Sequence, residues 1–240
     1  MSAPQPAYRI ADRPPVVLIH GLGRSHRSFA RLRRHLEAAG YPTWARSYPS
    51  GRLTLLQAAE RLAVSILADL GPVPVLGVTH SIGGIVARYL TTRLCWKGLV
   101  MLAPPNHGSR YAVALRGRRV FQLACGPAFD ELCEPDAWPD PPGPFGVIAG
   151  TQQKVADKAQ AWLGRRLGIF DADTRHDGTL CVEETRHERM ADFAVVEAGH
   201  TFIMDHPDVP GLVVRFFETG RFQPVERAAA QPAQGHISRR

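Results

Sequence analysis

The sequence of 240 residues lacks the features that mark membrane, secreted and zinc-binding proteins. It contains no run of eighteen apolar residues, so it predicts no membrane-spanning helix. Its first residues, MSAPQPAYRIADRPP, include no apolar stretch of the length that a secretory signal requires. The cysteines form no CxxC pair, which favours a reduced cytoplasmic protein over a disulfide framework or a zinc site. These cysteines are Cys95, Cys125, Cys133 and Cys181.

Lysine is also scarce, since all but three of the 29 basic residues are arginines, and the net charge is +7. The arginines cluster at residues 24–34 and 110–119. Such clusters favour attraction to anionic lipid headgroups or to nucleic acid. No aromatic residues alternate with these arginines, as a base-stacking surface requires. We therefore expect a solvated basic surface with peripheral contact to anionic lipid, and no nucleic-acid partner.

The composition is that of one globular domain, with 45% apolar and 21% charged residues. Short apolar runs alternate with helix-length segments, which predicts crossover helices and a parallel sheet. Runs such as VVLI and VIAG are apolar at consecutive positions, as in strands that are covered on both faces. The sequence thus predicts an α/β fold, a three-layer αβα sandwich around a mainly parallel sheet of about six strands. The predicted strands span residues 15–20, 42–48, 73–80, 98–104, 145–150 and 193–199.

Two excursions interrupt this alternation. Residues 109–143 form a long connection that is partly helical and partly proline-rich, and the second excursion spans residues 152–192. Long connections in compact domains are often lids or binding loops. We expect residues 1–14 to be an N-terminal extension, residues 15–222 to be the domain and residues 223–240 to be a disordered tail.

The junction after the third strand reads VTHSIGG at residues 78–84 and has no intervening loop. A serine in such a tight strand-to-helix turn takes a strained conformation that projects its hydroxyl beyond the sheet. Gly83 lets strand and helix approach, whereas Thr79 stands where the G-x-S-x-G pattern has its first glycine. The alternative is that Ser81 only caps the helix.

Five motifs resemble those of the α/β-hydrolase family, in its small bacterial lipase and esterase branch. In the family's order they are LIHGLG at 18–23, THSIGG at 79–84, APPNHGS at 103–109, HDGTL at 176–180 and AGHTFIM at 198–204. The resemblance runs from about residue 16 to residue 222. It implies a minimal α/β-hydrolase fold with a lid-like or cap-like insertion at 109–143. It also implies a serine hydrolase with Ser81 as the nucleophile.

In lipases of this kind, the residue after the His-Gly pair and the residue after the nucleophile supply the oxyanion-hole amides. The resemblance therefore implies that the backbone amides of Leu22 and Ile82 play this role. A dinucleotide-binding turn is the rival interpretation of the glycines at 21 and 23. However, His26 stands where the third glycine belongs and no acidic residue ends the second strand, so we expect no nicotinamide or other cofactor.

A serine hydroxyl needs a base, and the base needs an acid that orients it. His200 follows the last predicted strand, at the edge where open α/β sheets form their sites, and it is the expected base, with His206 as the alternative. The D-G-x-[VL] motif of the family falls on Asp177, which the resemblance makes the acid. Asp171 and Asp173 stay open as alternatives, because Asp-Gly also occurs simply as a turn.

Two other histidines receive structural interpretations. His187 precedes the last strand and is expected near the opposite edge of the sheet. His107 follows the fourth strand and is expected to border the pocket. His187 and Glu188 do not continue to an HExxH motif, and no His/Cys cluster has zinc spacing, so we expect no metal.

The sequence therefore favours a carboxylesterase or lipase whose partner is a small acyl ester or a lipid. The same machinery would serve a thioesterase or an acyltransferase, and a non-catalytic domain that binds lipid or a partner is the alternative from another class. We expect the first excursion to cover the acyl site, or otherwise to complete the core. Its apolar residues are Tyr111, Leu115, Phe121, Leu123 and Phe129.

Overall fold

The computed structural model describes residues 13–152, 157–171 and 173–223. Within these ranges, six strands form one sheet in the order β2-β1-β3-β4-β5-β6, and every neighbouring pair is parallel. The strands are β1 (Val16–Ile19), β2 (Thr43–Ala45), β3 (Pro74–His80), β4 (Cys95–Leu102), β5 (Phe145–Gly150) and β6 (Asp192–Val196). The predicted parallel sheet is confirmed.

The largest differences from the predicted strand ends, of three residues each, are at the start of β4, the end of β2 and the end of β6, which stops at Val196 and not at residue 199. β4 begins at Cys95, ahead of the predicted start at residue 98, because Cys95 and Trp96 pair with β3 although the exposed Lys97 interrupts the apolar run. β2 ends at Ala45, short of the predicted end at residue 48, because it is the edge strand and pairs with β1 over three residues only. Pairing, not apolarity, sets the start of β4 and the end of β2.

Helices connect the strands, as a parallel sheet requires. They are α1 (Ala30–Ala38), α2 (Leu55–Leu70), α3 (Ile82–Tyr89), α4 (Arg110–Leu115), α5 (Arg119–Cys125), α6 (Pro127–Glu131), α7 (Lys158–Arg166), α8 (Val182–Thr185) and α9 (Val209–Thr219). α2 begins at a capping box, in which Thr54 Oγ1 accepts a hydrogen bond from the Gln57 amide at 3.1 Å and the Gln57 side chain accepts one from the Thr54 amide.

Two apolar clusters fill the space between the sheet and the helices, one on each face of the sheet. Val16 and Leu18 of β1 pack with buried residues of α1 and α9, whereas Val17 and Ile19 pack with α2 and α3. Successive strand residues point to opposite faces, so β1 contributes to both clusters, as the other central strands do. Phe29, which precedes α1, is fully buried on the first side. The arrangement is the three-layer αβα sandwich that the sequence predicts.

The first excursion carries α4, α5 and α6 and lies on the side of α2 and α3. Tyr111, Leu115 and Phe129 are buried in the same cluster as those two helices. The predicted extension and tail lie outside the described residues, except for residues 13, 14 and 223. In the described ranges, no helix is both long and apolar enough to cross a membrane. All four cysteines are free.

Candidate active site

Ser81 lies between β3 and α3, where the chain passes directly from strand to helix. Its backbone has φ 54° and ψ −129°. A left-handed conformation of this kind costs a residue other than glycine about 1–3 kcal/mol. The turn can be this tight because Gly83 has no side chain, and a Cβ there would collide with the backbone oxygen of Ile19. Thr79 is fully buried in β3, so the strained turn forms without a glycine at that position.

Ser81, His200 and Asp177 form one chain of hydrogen bonds. His200 Nε2 lies 3.0 Å from Ser81 Oγ, and His200 Nδ1 lies 2.8 Å from Asp177 Oδ2. With Nδ1–H donating to the carboxylate, Nε2 accepts the proton of the serine hydroxyl. Ser81 makes no side-chain capping bond to α3, so the helix-cap alternative is wrong.

Asp177 reaches the histidine from the second excursion, well beyond the end of β5. Its Oδ1 atom accepts hydrogen bonds from the amides of Thr179 and Leu180 at 2.9 and 2.7 Å. Its backbone oxygen accepts a further bond, of 2.9 Å, from the amide of His200. The Asp-Gly turn thus holds the carboxylate and joins it to the histidine loop.

The alternative site residues lie elsewhere. Asp171 is exposed and accepts a hydrogen bond from the amide of Asp173 at 3.1 Å. His206 accepts one from the amide of Asp208 at 3.3 Å. His187 packs on Phe145 at the amino-terminal end of β5, the edge predicted for it. Among the described residues, no cluster of His, Cys, Asp or Glu is placed to hold a metal ion.

Several groups determine the proton affinity of His200. Burial lowers the pKa of its imidazole, the charge and hydrogen bond of Asp177 and the charge of Asp157 raise it, and the charge of Arg24 lowers it. The raising effects prevail, so the pKa of His200 lies above its ordinary value of 6.5. The ring of His80 lies 5.0 Å away, and burial holds the pKa of His80 well below its usual range. His80 is therefore neutral, and its Nε2–H donates to the His200 backbone oxygen at 2.9 Å.

Asp157 is the site residue that sequence reasoning missed. Its carboxylate is fully buried, and Oδ1 accepts hydrogen bonds from the amide and the hydroxyl of Thr201 at 3.1 and 2.5 Å. Gly199 makes room for it, because a Cβ there would collide with Oδ2. Oδ2 has no hydrogen-bond partner in the described part of the chain. No motif marks Asp157, and the one available signal is its position shortly after β5.

The amides of Leu22 and Ile82 belong to the two segments that border Ser81. Neither donates a hydrogen bond to another described residue. The carbonyl of Gly21 accepts hydrogen bonds from His20 Nδ1 at 2.9 Å and from the Ser50 hydroxyl at 3.4 Å. Since the carbonyl and the amide of a trans peptide point in opposite directions, these bonds also orient the Leu22 N–H.

A cavity of about 520 Å³ opens at Ser81, and its apolar wall comes mainly from the first excursion. Phe121 and Cys125, four residues apart on α5, both line it. Leu123, predicted for the same wall, is 86% exposed because it lies on the opposite side of α5. His107 was also predicted wrongly, since it lines a separate groove outside α4. The excursion residues in the wall are Ser109, Tyr111, Leu115, Phe121, Cys125, Phe129 and Leu132.

Solved structures with similar folds include enzymes that act on esters or lipids. The mature form of a lipase from Bacillus licheniformis gives a TM-score of 0.66 at 18% identity, covering 89% of this chain and 94% of that chain. The metagenomic carboxyl esterase MGS0156 gives a TM-score of 0.60 at 19% identity, and the match covers 78% of this chain and 64% of that chain. Phospholipase PlaB from Legionella pneumophila gives a TM-score of 0.52 at 19% identity, and the match covers 72% of this chain and 45% of that chain. At these identities the likeness shows a shared fold.

The family of the chain follows from a comparison with models of protein families. A comparison with individual curated proteins yields no match. A family model described as "Alpha/beta hydrolase family" matches residues 16–210, a range that contains all six strands and the helices up to the start of α9. The match includes Ser81, Asp177 and His200. The chain therefore belongs to the α/β-hydrolase family.

Proposed function

We propose that the protein is a serine hydrolase that cleaves carboxylic esters through an acyl-serine intermediate. The observation that carries the proposal is the hydrogen-bonded chain from Ser81 through His200 to Asp177, at the floor of an apolar cavity. The family and the lipase and esterase with similar folds support ester or lipid substrates. A domain that only binds lipid would not need a base hydrogen-bonded to the serine.

The first half of the reaction transfers the acyl group to the enzyme. Ser81 Oγ attacks the carbonyl carbon while His200 Nε2 takes the hydroxyl proton. The bond between that carbon and the alcohol oxygen then breaks, and His200 gives the proton to the leaving oxygen. Asp177 holds the imidazole in the required tautomer and stabilises its charged form.

The second half releases the acid. His200 takes a proton from water, the water oxygen attacks the acyl carbon, and Ser81 Oγ leaves and regains its proton. A thiol as the leaving group makes the same steps a thioester hydrolysis. An alcohol in place of water makes them an acyl transfer.

The negative charge on the tetrahedral oxygen requires donors that are already in place. We assign this role to the amides of Leu22 and Ile82. Removing one donor of this kind costs about 3–4 kcal/mol of transition-state stabilisation in other enzymes. The Leu22 peptide is held by hydrogen bonds to the Gly21 carbonyl, and the Ile82 amide is held by the first turn of α3. Neither needs to move during the reaction.

We assign the apolar wall of the cavity to the acyl chain, which makes residues 109–143 a cap over the site. Leu115, Phe121 and Phe129 supply apolar surface from three helices of this segment. Burial of each methylene of an acyl chain against such a wall is worth about 0.8 kcal/mol. The cap thus contributes to the choice among acyl lengths.

The proposal is tested by labelling with a fluorophosphonate probe, followed by intact-mass measurement. The wild-type protein should gain the mass of one probe, and Ser81→Ala should gain none. Ser109→Ala is the matched control, because Ser109 lines the same cavity but caps α4. Ser109→Ala should be labelled like the wild type. An unlabelled wild type, or a labelled Ser81→Ala variant, would refute the proposal.

A further inference from the structure

A second groove, of about 530 Å³, lies next to the Ser81 cavity and has a different chemical character. Arg24, Arg27, Arg31 and Arg34 line it, together with the ring of Phe202 and a single acidic residue, Asp205. Arg31 and Arg34 are three residues apart on α1 and so lie on one face of that helix, and Arg27 lies in the segment just before it. Arg24 also lines the Ser81 cavity, so the two spaces adjoin at this side chain.

The groove keeps a net positive charge, because four arginines line it with one carboxylate, that of Asp205. None of its four arginines forms a salt bridge with a carboxylate of the described residues. Arg31 donates to the backbone oxygen of Asp205 at 3.1 Å. By contrast, Arg33, on another side of α1, pairs with Glu37 at 3.1 Å. The groove therefore presents several guanidinium groups that an anion can bind.

Arg24 links this charge to the reacting centre. It follows Leu22 by two residues and lines the same cavity as His200, and its charge lowers the pKa of that imidazole. Its guanidinium carbon lies 5.0 Å from the centre of the Phe202 ring, and its buried Nε has no hydrogen-bond partner among the described residues. The apolar wall of the cavity comes from other segments. An acyl chain and a charged group can therefore occupy different ends of the site.

We propose that this groove binds a phosphate group carried by the alcohol or thiol part of an acyl substrate. The inference rests on the proposed ester hydrolysis and specifies its substrate class. Guanidinium groups match phosphate oxygens with paired hydrogen bonds, and the open groove admits a bulky, charged leaving group. Two sources have this chemistry: the headgroup of a glycerophospholipid, and the phosphates of an acyl-coenzyme A thioester.

The test compares matched substrates that differ in phosphate. One pair is 1-hexanoylglycerol 3-phosphate and 1-hexanoylglycerol, and the other is hexanoyl-coenzyme A and hexanoyl-N-acetylcysteamine. For the preferred source, kcat/KM should be about tenfold higher with phosphate than without it at low salt. The pair that shows this ratio identifies the source. Inorganic phosphate should compete with the phosphate-bearing substrate, and salt should reduce the ratio because the groove is open.

Variants test whether the arginines cause the ratio of kcat/KM between substrates with and without phosphate. The triple variant R27Q/R31Q/R34Q should lower it about tenfold, mainly through KM of the phosphate-bearing substrate. The matched control, R61Q/R93Q/R215Q, removes the same charge from exposed positions outside the groove and should leave the ratio unchanged. An unchanged ratio in the first variant, or an equal loss in the control, would overturn the inference.

A binding measurement separates this inference from the proposed function. Calorimetry with 1-hexanoylglycerol 3-phosphate and, separately, with hexanoyl-coenzyme A uses Ser81→Ala and the same protein carrying the three groove substitutions. Weaker binding in the second protein supports the groove even if the wild type hydrolyses no ester, a result that would refute the proposed function alone. Hydrolysis of uncharged esters with equal phosphate binding by both proteins would refute the groove alone.

Discussion

The turn at Ser81 and the loop that carries Asp177 reach the same site by different means. Ser81 is placed by its immediate neighbours, since β3 ends, α3 begins and Gly83 permits the close approach to β1. Asp177 arrives from the long excursion between β5 and β6 and meets His200 through hydrogen bonds between distant segments. A short stretch of sequence therefore predicts the turn, whereas the acid depends on how the excursion packs. Variants at the two places can test this contrast.

Changes at Ser81 should have the largest effect. Ser81→Ala should lower kcat for p-nitrophenyl butyrate by about 10⁴-fold or more, because the nucleophile is lost. Ser81→Gly should be as inactive as Ser81→Ala. Its free energy of unfolding should exceed that of Ser81→Ala by about 1 kcal/mol, because glycine accepts the positive φ without strain. Kinetics and thermal unfolding measure both effects. Equal melting temperatures for the two variants would contradict the strain at this turn.

Substitution of His200, the proposed base, should lower the activity nearly as much. His200→Ala should lower kcat by about 10³-fold or more, because the serine loses its proton acceptor. His206→Ala should stay within about twofold of the wild type, since that ring contacts the Asp208 amide and not the nucleophile. Steady-state kinetics with the same ester distinguish the two. A reversed order would exclude His200 as the base.

The acid loop is tested by comparing three carboxylates. Asp177→Asn should lower kcat by about 10²-fold to 10⁴-fold with little change in KM, because an amide facing Nδ1 favours the wrong imidazole tautomer. Asp171→Asn and Asp173→Asn should remain close to wild type, since both side chains are exposed. If all three substitutions were mild, another group would have to orient His200.

Asp157 should have a smaller effect that appears mainly in the pH profile. The reaction needs neutral His200, so kcat/KM rises as pH increases through the pKa of that residue. Asp157 raises this pKa and Arg24 lowers it. Asp157→Asn should therefore move the acidic limb to lower pH, and Arg24→Gln should move it to higher pH. An unmoved limb in both variants would show that these charges do not act on the base.

The smallest expected effect concerns the two sides of α5. Phe121→Ala removes cavity wall and should shift the preferred acyl chain toward short esters, by about 0.8 kcal/mol for each methylene that loses contact. Leu123→Ala is the matched control on the same helix, because that side chain is 86% exposed. Rates with p-nitrophenyl esters from acetate to decanoate give the profiles. Equal profiles would mean that Phe121 belongs to the core and not to an acyl site.

Sequence reasoning was limited where a helix face or a distant contact decided the outcome. The first excursion was predicted to be partly helical, but its helix ends were not assigned, so Phe121 and Leu123 could not be placed on opposite sides. Once α5 is known to span Arg119–Cys125, helical geometry separates them. The prediction for His107 was wrong for a related reason, because the chain after β4 turns this residue toward the separate groove outside α4.

By itself, the sequence determined the parallel sheet, the tight turn at Ser81 and the candidate His200, whereas Asp177 was a candidate only through the resemblance to the family. The first three features depend on residues that are close together in the chain or on the position of a strand end. Only the tertiary structure decided that Asp157 supports the histidine loop and that Arg24 joins an arginine groove to the cavity. Such contacts join segments that are far apart in sequence, and their formation depends on packing that no local pattern encodes.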